Sequence, residues 1–271
     1  MIDARCNGQP VQGFALDSRA AHYGDGAFTT IRVHAGTACW WTLHEARLRA
    51  ACTALHLIEP DFAALATQVD AMAAKAGDAV VKVLLVPQSQ GRGYARPWPT
   101  AIDVFVLAYA AATPTSGDYV QGVALAQSDV VLADAEPFGI KSLSRMNQVL
   151  AQSHAQGAAA MVCDRDGFIG HASSCNLFAQ FGALLVTPPA GHGVIAGVAR
   201  AALLQSPPPG FSVRVQSMHR DALQHADAVI LSNAVRGFVP VSHFGARAYA
   251  RRDAVVALQR RFHAPLGLPE G

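Results

Sequence analysis

The sequence predicts an α+β protein with two domains. Its 271 residues are enough for two modest cores, and a content of 51% hydrophobic and 15% charged residues is typical of a well-packed globular chain. Hairpins and helices are mixed without the sustained βαβ alternation of a doubly wound sheet. Residues 112–118 are rich in Thr, Pro, Ser and Gly, so they are predicted to link a domain of residues 1–111 to one of residues 119–271.

The first domain is expected to contain hairpins, two helices and two longer strands. Asn7-Gly8 is a strong signal for a hairpin turn, and Thr42 with Glu45 three residues later has the pattern of a capping box. Asp61 is expected to cap the second helix, and Gly77 is expected to end it. After the first hairpin, the predicted elements are strands at residues 29–34 and 37–41, helices at 42–56 and 61–77, and strands at 80–87 and 102–110.

The second domain is expected to contain more strands than helices. Residues 164–167 (Asp-Arg-Asp-Gly) are predicted to form a turn between two strands, and a glycine-rich loop at residues 189–197 precedes a helix. The predicted strands lie near residues 123–127, 158–163, 168–169, 176–179, 184–187, 212–216 and 228–231. The predicted helices begin at Lys141, near residue 198 and near residue 252.

Composition and charge exclude several classes of function. A net charge of +2 without a dense basic run predicts no nucleic-acid partner, and no apolar run approaches the roughly 18 residues of a membrane span. The chain opens without an apolar signal core, so export is not expected. Five cysteines without Cys-x-x-Cys spacing, and histidines without metal-binding spacing, indicate neither a disulfide framework nor a metal site. A reduced cytoplasm is the expected location.

Lys141 is the first candidate for a catalytic residue. Only three lysines occur, and two of them, Lys75 in a polar helical run and Lys82 in an apolar strand, are expected to point into solvent. Lys141 follows an apolar segment and opens a stretch with helical spacing. Burial near apolar groups lowers the pKa of an amine and makes it a nucleophile for carbonyl chemistry. A Schiff-base lysine is therefore a reasonable hypothesis for Lys141.

Three further features leave alternatives open at this point. The stretch from Gly191 to Gly197 precedes a helix and could bind an anion, or it could be a plain loop. Arg47 could clamp a phosphate or carboxylate, or lie along the protein surface. Arg92, between two glycines and followed by Tyr94, could bind a substrate carboxylate or be a solvated loop residue.

Five motifs, in chain order, together resemble a known superfamily. They are Asp17-x-Arg19-x3-Tyr23-Gly24-Asp25-Gly26-x-Phe28, His44-x2-Arg47-Leu48, Gly139-Ile140-Lys141-x3-Arg145, Gly167-x8-Asn176-Leu177-Phe178 and Gly197-Val198-Ala199-Arg200. They resemble the pyridoxal 5′-phosphate (PLP) enzymes of fold type IV, which include the branched-chain and D-amino-acid aminotransferases. Three stretches are most similar to the 4-amino-4-deoxychorismate lyase family: Phe28-Thr29-Thr30, residues 91–94, and Ser232-Asn233-Ala234 with Pro240-Val241.

The resemblance implies a small N-terminal α/β domain, a larger C-terminal domain with a mixed sheet or barrel, and a homodimer. It implies conversion of a small-molecule substrate, 4-amino-4-deoxychorismate, to 4-aminobenzoate and pyruvate for folate biosynthesis. Lys141 would carry PLP and act as base and then acid. The other implied residues are Arg47, His171, Asn176, Val198, Ala199 and Asn233 for the cofactor, Arg92, Tyr94 and Phe28 for the substrate, and Thr29 as a second catalytic residue.

His171 departs from the pattern of the family. A glutamate that pairs with the pyridine nitrogen of PLP normally stands five residues before the asparagine, and this sequence has His171 there. An imidazole keeps that nitrogen protonated less well than a carboxylate does. A diverged PLP-binding relative with weak activity therefore remains an alternative to the lyase. The resemblance to the superfamily also leaves open a D-amino-acid or branched-chain aminotransferase.

Overall fold

The computed structural model describes residues 1–88, 92–111, 116–132, 139–250 and 252–270. The chain divides into two compact units, one of residues 1–112 and 140–145 and the other of residues 113–139 and 146–271. The predicted α+β class is confirmed. Of the predicted linker, residues 112–115 lie outside the described residues, and the boundary there stays a prediction. The segment 140–145 was expected in the C-terminal domain, but it belongs to the first unit.

The first unit is built on an antiparallel sheet. Its elements are β1 (Asp3–Cys6), β2 (Gln9–Pro10), α1 (Arg19–Tyr23), β3 (Ala27–His34), β4 (Thr37–Ala38), α2 (Trp41–Ala54), α3 (Phe62–Ala76), β5 (Ala79–Pro87) and β6 (Ile102–Ala110). Among the described residues the strand order is β2-β1-β6-β5-β3-β4. Thr30 pairs with Lys82 and Phe28 with Leu84 across β3 and β5.

The two helices of the first unit begin in different ways. Asp61 caps α3, because its carboxylate accepts hydrogen bonds from the amides of Ala63 and Ala64, as its position in the sequence predicted. The predicted capping box at Thr42 is wrong. Helix α2 already includes Thr42, and the residue before the helix, Trp40, has a left-handed backbone and no side-chain capping bond. Tertiary packing of α2 on the sheet replaces the cap.

The sheet of the first unit has two apolar faces. Ile31 and Val83 lie in the cluster that packs under α2 and α3. Phe28, Leu84 and Phe105 form a separate buried cluster on the opposite face. Because successive side chains of a strand point to opposite faces, neighbouring residues of β3 pack into different clusters.

The second unit contains a mixed sheet. Its elements are α4 (Ser116–Val120), β7 (Val123–Val131), α5 (Met146–His154), β8 (Ala159–Cys163), β9 (Ile169–Ala172), β10 (Asn176–Phe181), β11 (Leu184–Thr187), α6 (Val198–Gln205), β12 (Ser212–Val215), β13 (Ala228–Asn233), β14 (Gly237–Phe244), β15 (Arg247–Ala248) and α7 (Asp253–Phe262). The strand order is β12-β11-β10-β13-β14-β7-β8-β9 over the described residues, and β15 pairs with β14. The pairs β7–β8, β7–β14 and β11–β12 are parallel.

This sheet curls. Strand β9 lies at one end of the order and β10 near the other, yet only three residues connect them. The ends of the sheet are therefore drawn together, and residues such as Met161, Leu177 and Leu231 fill the interior. The mixed sheet or barrel implied by the resemblance is confirmed in this form.

Two other features bear on the sequence-based expectations. No helix among the described residues is long and apolar enough to cross a membrane. The five cysteines all lie in the described ranges, and none of them forms a disulfide.

Candidate active site

Lys141 lies on an extended segment and not in a helix. The amide of Phe28 donates a hydrogen bond to the carbonyl of Lys141 (2.9 Å), and the amide of Leu143 donates to the carbonyl of Gly26 (3.0 Å). Ala27 and Ser142 form an antiparallel bridge between these bonds. The prediction that a helix opens at Lys141 is therefore wrong. Helix α5 begins only at Met146, because β3 offers its free edge to the residues before it.

Two glycines, Gly24 and Gly26, allow the segment that carries Lys141 to lie close to the chain before β3. They have φ angles of +63° and +127°, which residues other than glycine rarely adopt. A Cβ atom on Gly24 would lie 2.9 Å from the Cα of Ser144, and one on Gly26 would lie 2.9 Å from a side-chain carbon of Leu143. The Gly-Asp-Gly motif therefore makes room for the segment that carries Lys141.

Two lysines share the face of the sheet that carries Phe28. The ammonium nitrogen of Lys141 lies 4.6 Å from the centre of the Phe28 ring, and that of Lys82 lies 4.3 Å from it. The two nitrogens are therefore within about 9 Å of each other, and both are stabilised by cation–π contact. Thr30, two residues after Phe28, points to the same face.

Lys82 is not the solvated lysine that the sequence suggested. It is half-buried, and burial lowers its pKa. In the described part of the chain no carboxylate pairs with it, and its ammonium group lies over the uncharged ring of Phe28. A half-buried cation of this kind favours an anionic ligand.

Thr29 lies on the opposite face. Its hydroxyl is within 2.6 Å of Nδ1 of His44 on α2, and both residues are fully buried. The structure therefore brings Thr29 to α2 and does not bring it to Lys141. Burial, with the positive charge of Arg47 as a second cause, holds the pKa of His44 well below its usual range, so this imidazole is neutral.

Arg47 follows His44 by one helical turn on α2. Burial lowers the pKa of its guanidinium to about 10, which marks it as a desolvated cation. Arg92 and Tyr94, the two predicted substrate contacts, lie in the irregular segment before β6 and are exposed. The glycine that precedes Arg92 lies outside the described residues.

In the second unit, the start of α6 has the features of an anion site. Gly197 is its N-cap and offers no side-chain capping bond, while Val198 and Ala199 in the first turn are buried. Amides at an uncapped helix start favour negative charge. The side-chain amide of Asn176 donates to the carbonyl of Ile195 (2.9 Å) and so fixes the loop that leads into the helix.

Asn233 and His171 also belong to the second unit. The side-chain oxygen of Asn233 accepts bonds from the amides of Val235 and Arg236, so this residue shapes the turn after β13. His171 is buried on β9 and lines a small cavity with the amide side chains of Asn147 and Gln148. Among the described residues, the side-chain oxygen of Gln148 is buried without a hydrogen-bond partner.

The comparisons with known proteins assign the family. The family model for aminotransferase class IV matches residues 26–244. The chain belongs to the aminotransferase class IV family. An aminodeoxychorismate lyase of Vibrio harveyi is 28% identical over 246 residues, which are 89% of this chain and 90% of that protein. The predicted superfamily is thereby confirmed.

Solved structures of this family support the fold. The 4-amino-4-deoxychorismate lyase of Pseudomonas aeruginosa superposes with a TM-score of 0.89 and 29% identity over 96% of this chain and 98% of that one. The branched-chain aminotransferase of Escherichia coli gives a TM-score of 0.83 over 98% of this chain and 95% of that one. At 21% identity, the second likeness concerns the fold alone.

Sequence reasoning missed Lys82, Thr30 and His44. One signal in the sequence could have found the first two. When β3 pairs with β5 in the observed register, Thr30 and Lys82 lie on the same face of the sheet as Phe28. The pairing itself was not predicted, so this signal could not be used. His44 stands in one of the family motifs, but its burial depends on the packing of α2 against β3, which the sequence does not show.

We predict that His44 makes the protein less stable in acid. The folded pKa of His44 is depressed, so below its ordinary value of 6.5 the unfolded chain binds a proton that the native chain does not. Stability then falls by up to about 1.4 kcal/mol per pH unit from this group. Urea unfolding at pH 5 and pH 7.5 should show a smaller difference for His44→Asn than for the wild type. His225→Asn, at an exposed position, is the control, and an unchanged difference in His44→Asn would contradict the prediction.

Proposed function

We propose that this chain is a PLP-dependent lyase that converts 4-amino-4-deoxychorismate to 4-aminobenzoate and pyruvate. The observation that carries the proposal is the face of the first unit, where Lys141 and the half-buried Lys82 contact the same Phe28 ring. One amine can hold the cofactor while the other cation attracts a carboxylate. The similarity to lyases of Vibrio harveyi and Pseudomonas aeruginosa supports the choice of reaction.

The described residues fit PLP. A phosphate is bound by cations and by the amides of a helix start, and we assign to it Arg47 of the first unit and Val198 and Ala199 in the first turn of α6 of the second. The carbonyl carbon of PLP requires a primary amine, which Lys141 offers on a segment fixed by backbone bonds to β3. We assign Asn233 to the phosphate through the turn that it shapes, and His171 and Asn176 to the ring of the cofactor.

When bound, PLP withdraws the electron pair that is left on carbon as a proton departs. In the proposed reaction, Nζ of Lys141 removes the proton from the ring carbon that bears the substrate amine. The bond from the neighbouring ring carbon to the enolpyruvyl oxygen then breaks, and the ring becomes aromatic. Nζ of Lys141 returns the proton to the methylene carbon of the leaving enolpyruvate, which gives pyruvate.

The substrate carries two carboxylates, and the first unit offers several groups for them. Lys82 lies on the same sheet face as Lys141, and Arg92 and Tyr94 lie on the exposed segment before β6. We assign a carboxylate to Lys82 and retain Arg92 and Tyr94 for the other, with Phe28 against the substrate ring. Thr30, and not Thr29, places a hydroxyl on this face, so Thr30 is our candidate for the catalytic threonine.

The proposal extends to a homodimer in the cytoplasm that serves folate biosynthesis. The homodimer and the pathway follow from the resemblance to the lyase family. The cytoplasm is favoured by five cysteines that form no disulfide.

The first experiment follows 4-aminobenzoate and pyruvate together after PLP-loaded protein is mixed with 4-amino-4-deoxychorismate. We expect equimolar release from the wild type, and none from Lys141→Ala because both proton transfers need its amine. No release from a wild type that retains its cofactor would refute the lyase. Transfer of the amino group to a keto acid would then indicate an aminotransferase, and absence of both reactions would indicate a diverged PLP-binding relative.

Gly197→Ala should weaken the binding of PLP. A Cβ atom at this position would lie 1.8 Å from the side-chain oxygen of Asn176, so the first turn of α6 must shift. We expect the dissociation constant for PLP, measured by absorbance or fluorescence titration, to rise by about tenfold or more. Gly13→Ala is the control, since its Cβ would meet open space. Equal affinity in Gly197→Ala and Gly13→Ala would argue against a phosphate at α6.

Lys82→Met should raise KM for 4-amino-4-deoxychorismate by about tenfold to a hundredfold, with a smaller effect on kcat. Methionine keeps the apolar stem against Phe28 and removes the charge. The control is Lys75→Met, which removes an exposed lysine from α3. If both variants have the KM of the wild type, Lys82 does not bind the carboxylate.

A further inference from the structure

Arg19 connects the N-terminal Gly-Asp-Gly motif to the segment that carries Arg92. Its guanidinium donates to the carboxylate of Asp25 (2.8 Å), to the carbonyl of Gly93 (2.9 Å) and to the carbonyl of Tyr94 (3.0 Å). The residue is 3% exposed. Each of the three guanidinium nitrogens of one buried arginine thus donates a hydrogen bond, one to a carboxylate and two to successive carbonyls.

Gly93 is held from both sides. Its amide donates to the hydroxyl of Tyr23 (3.1 Å), and its carbonyl accepts from Arg19. Its φ angle of +97° makes an elbow directly after Arg92 that a residue with a side chain would adopt with strain. The rings of Tyr23 and Tyr94 lie 5.4 Å apart, so the aromatic side chain after the elbow is held as well.

The far end of the same segment is fixed by Arg96. Its guanidinium lies 3.2 Å from the carboxylate of Asp25, which Arg19 also contacts. It also donates hydrogen bonds to the hydroxyl of Thr100 and to the carbonyl of Leu55, both at 2.7 Å. Residues 92–99 contain no strand or helix. Side-chain bonds from the buried Arg19 and the partly buried Arg96 therefore fix this segment, as backbone pairing fixes the strands of the sheet.

We propose that Arg19 is a positioning residue for substrate binding: it fixes the carbonyls of Gly93 and Tyr94, and so sets the direction in which Arg92 is presented to a substrate carboxylate. The inference rests on the proposed function for the identity of the substrate. A bidentate contact between guanidinium and carboxylate depends on orientation, and an unfixed arginine loses entropy each time it binds. Lysine at position 19 could keep the bond to Asp25 but could not reach both carbonyls.

The test compares PLP-loaded wild type, Arg19→Lys, Tyr23→Phe and the exposed control Arg49→Lys. Four quantities are measured: retention of PLP by absorbance, KM and kcat for 4-amino-4-deoxychorismate, the dissociation constant of 4-aminobenzoate by calorimetry, and the rate of tryptic cleavage after Arg92. The bond after Arg96 precedes a proline and resists trypsin, so Arg92 reports on the elbow alone.

Arg19→Lys should raise KM and the dissociation constant by about tenfold, change kcat by less than about threefold, and speed cleavage after Arg92, while PLP is retained. Tyr23→Phe, which loses only the bond to the amide of Gly93, should change the same quantities less. In an Arg92→Ala background, Arg19→Lys should have no further effect on KM. Tyr23→Phe keeps its ring and carries the test if Arg19→Lys does not fold.

Faster cleavage with an unchanged KM, or an equal effect of Arg19→Lys with and without Arg92, would overturn the inference, because Arg19 would then act on stability alone. Failure of the proposed function is a separate result, in which the wild type releases no 4-aminobenzoate. In that case the dissociation constant of 4-aminobenzoate tests the positioning role of Arg19. Weaker binding by Arg19→Lys than by the wild type supports this role, and equal binding refutes it.

Discussion

The pairing of residues 141–143 with the free edge of β3 is the constraint on which the candidate site depends. Backbone hydrogen bonds on both sides of the bridge between Ala27 and Ser142 fix the register, and the register decides which face Lys141 points to. A shift by one residue would exchange Lys141 for Ser142 on that face. The same pairing places residues 140–145 in the first unit, although most of the neighbouring sequence belongs to the second.

Desolvated cations are the second common feature of the two units. Burial lowers the pKa of Arg47 and Lys82 in the first unit and of Arg200 in the second. Each costs folding free energy that an anion can recover on binding. A protein that binds a phosphorylated cofactor and a substrate with two carboxylates has use for such groups, since partly desolvated cations favour anionic ligands.

His171 stands where the family resemblance leads one to expect a carboxylate beside the pyridine nitrogen of PLP. It is buried beside the amides of Asn147 and Gln148, which carry no charge. A neutral setting stabilises a protonated pyridine ring less than a carboxylate does. The proposed reaction tolerates this better than amino transfer would, because formation of an aromatic ring supplies much of its driving force.

The sequence by itself determined the α+β class, most elements of the sheets, the family and the candidate lysine, because strand patterns, turn residues and ordered motifs are local signals. It placed the cap of α3 at Asp61 but misplaced the start of α2 and put Lys141 in a helix. Only the tertiary structure decided that Lys82 and Thr30 share a face with Lys141 while Thr29 faces His44. The first relation depends on strand register between residues about 50 to 110 positions apart, and the second depends on the packing of α2 against β3. Local propensity carries no information about either.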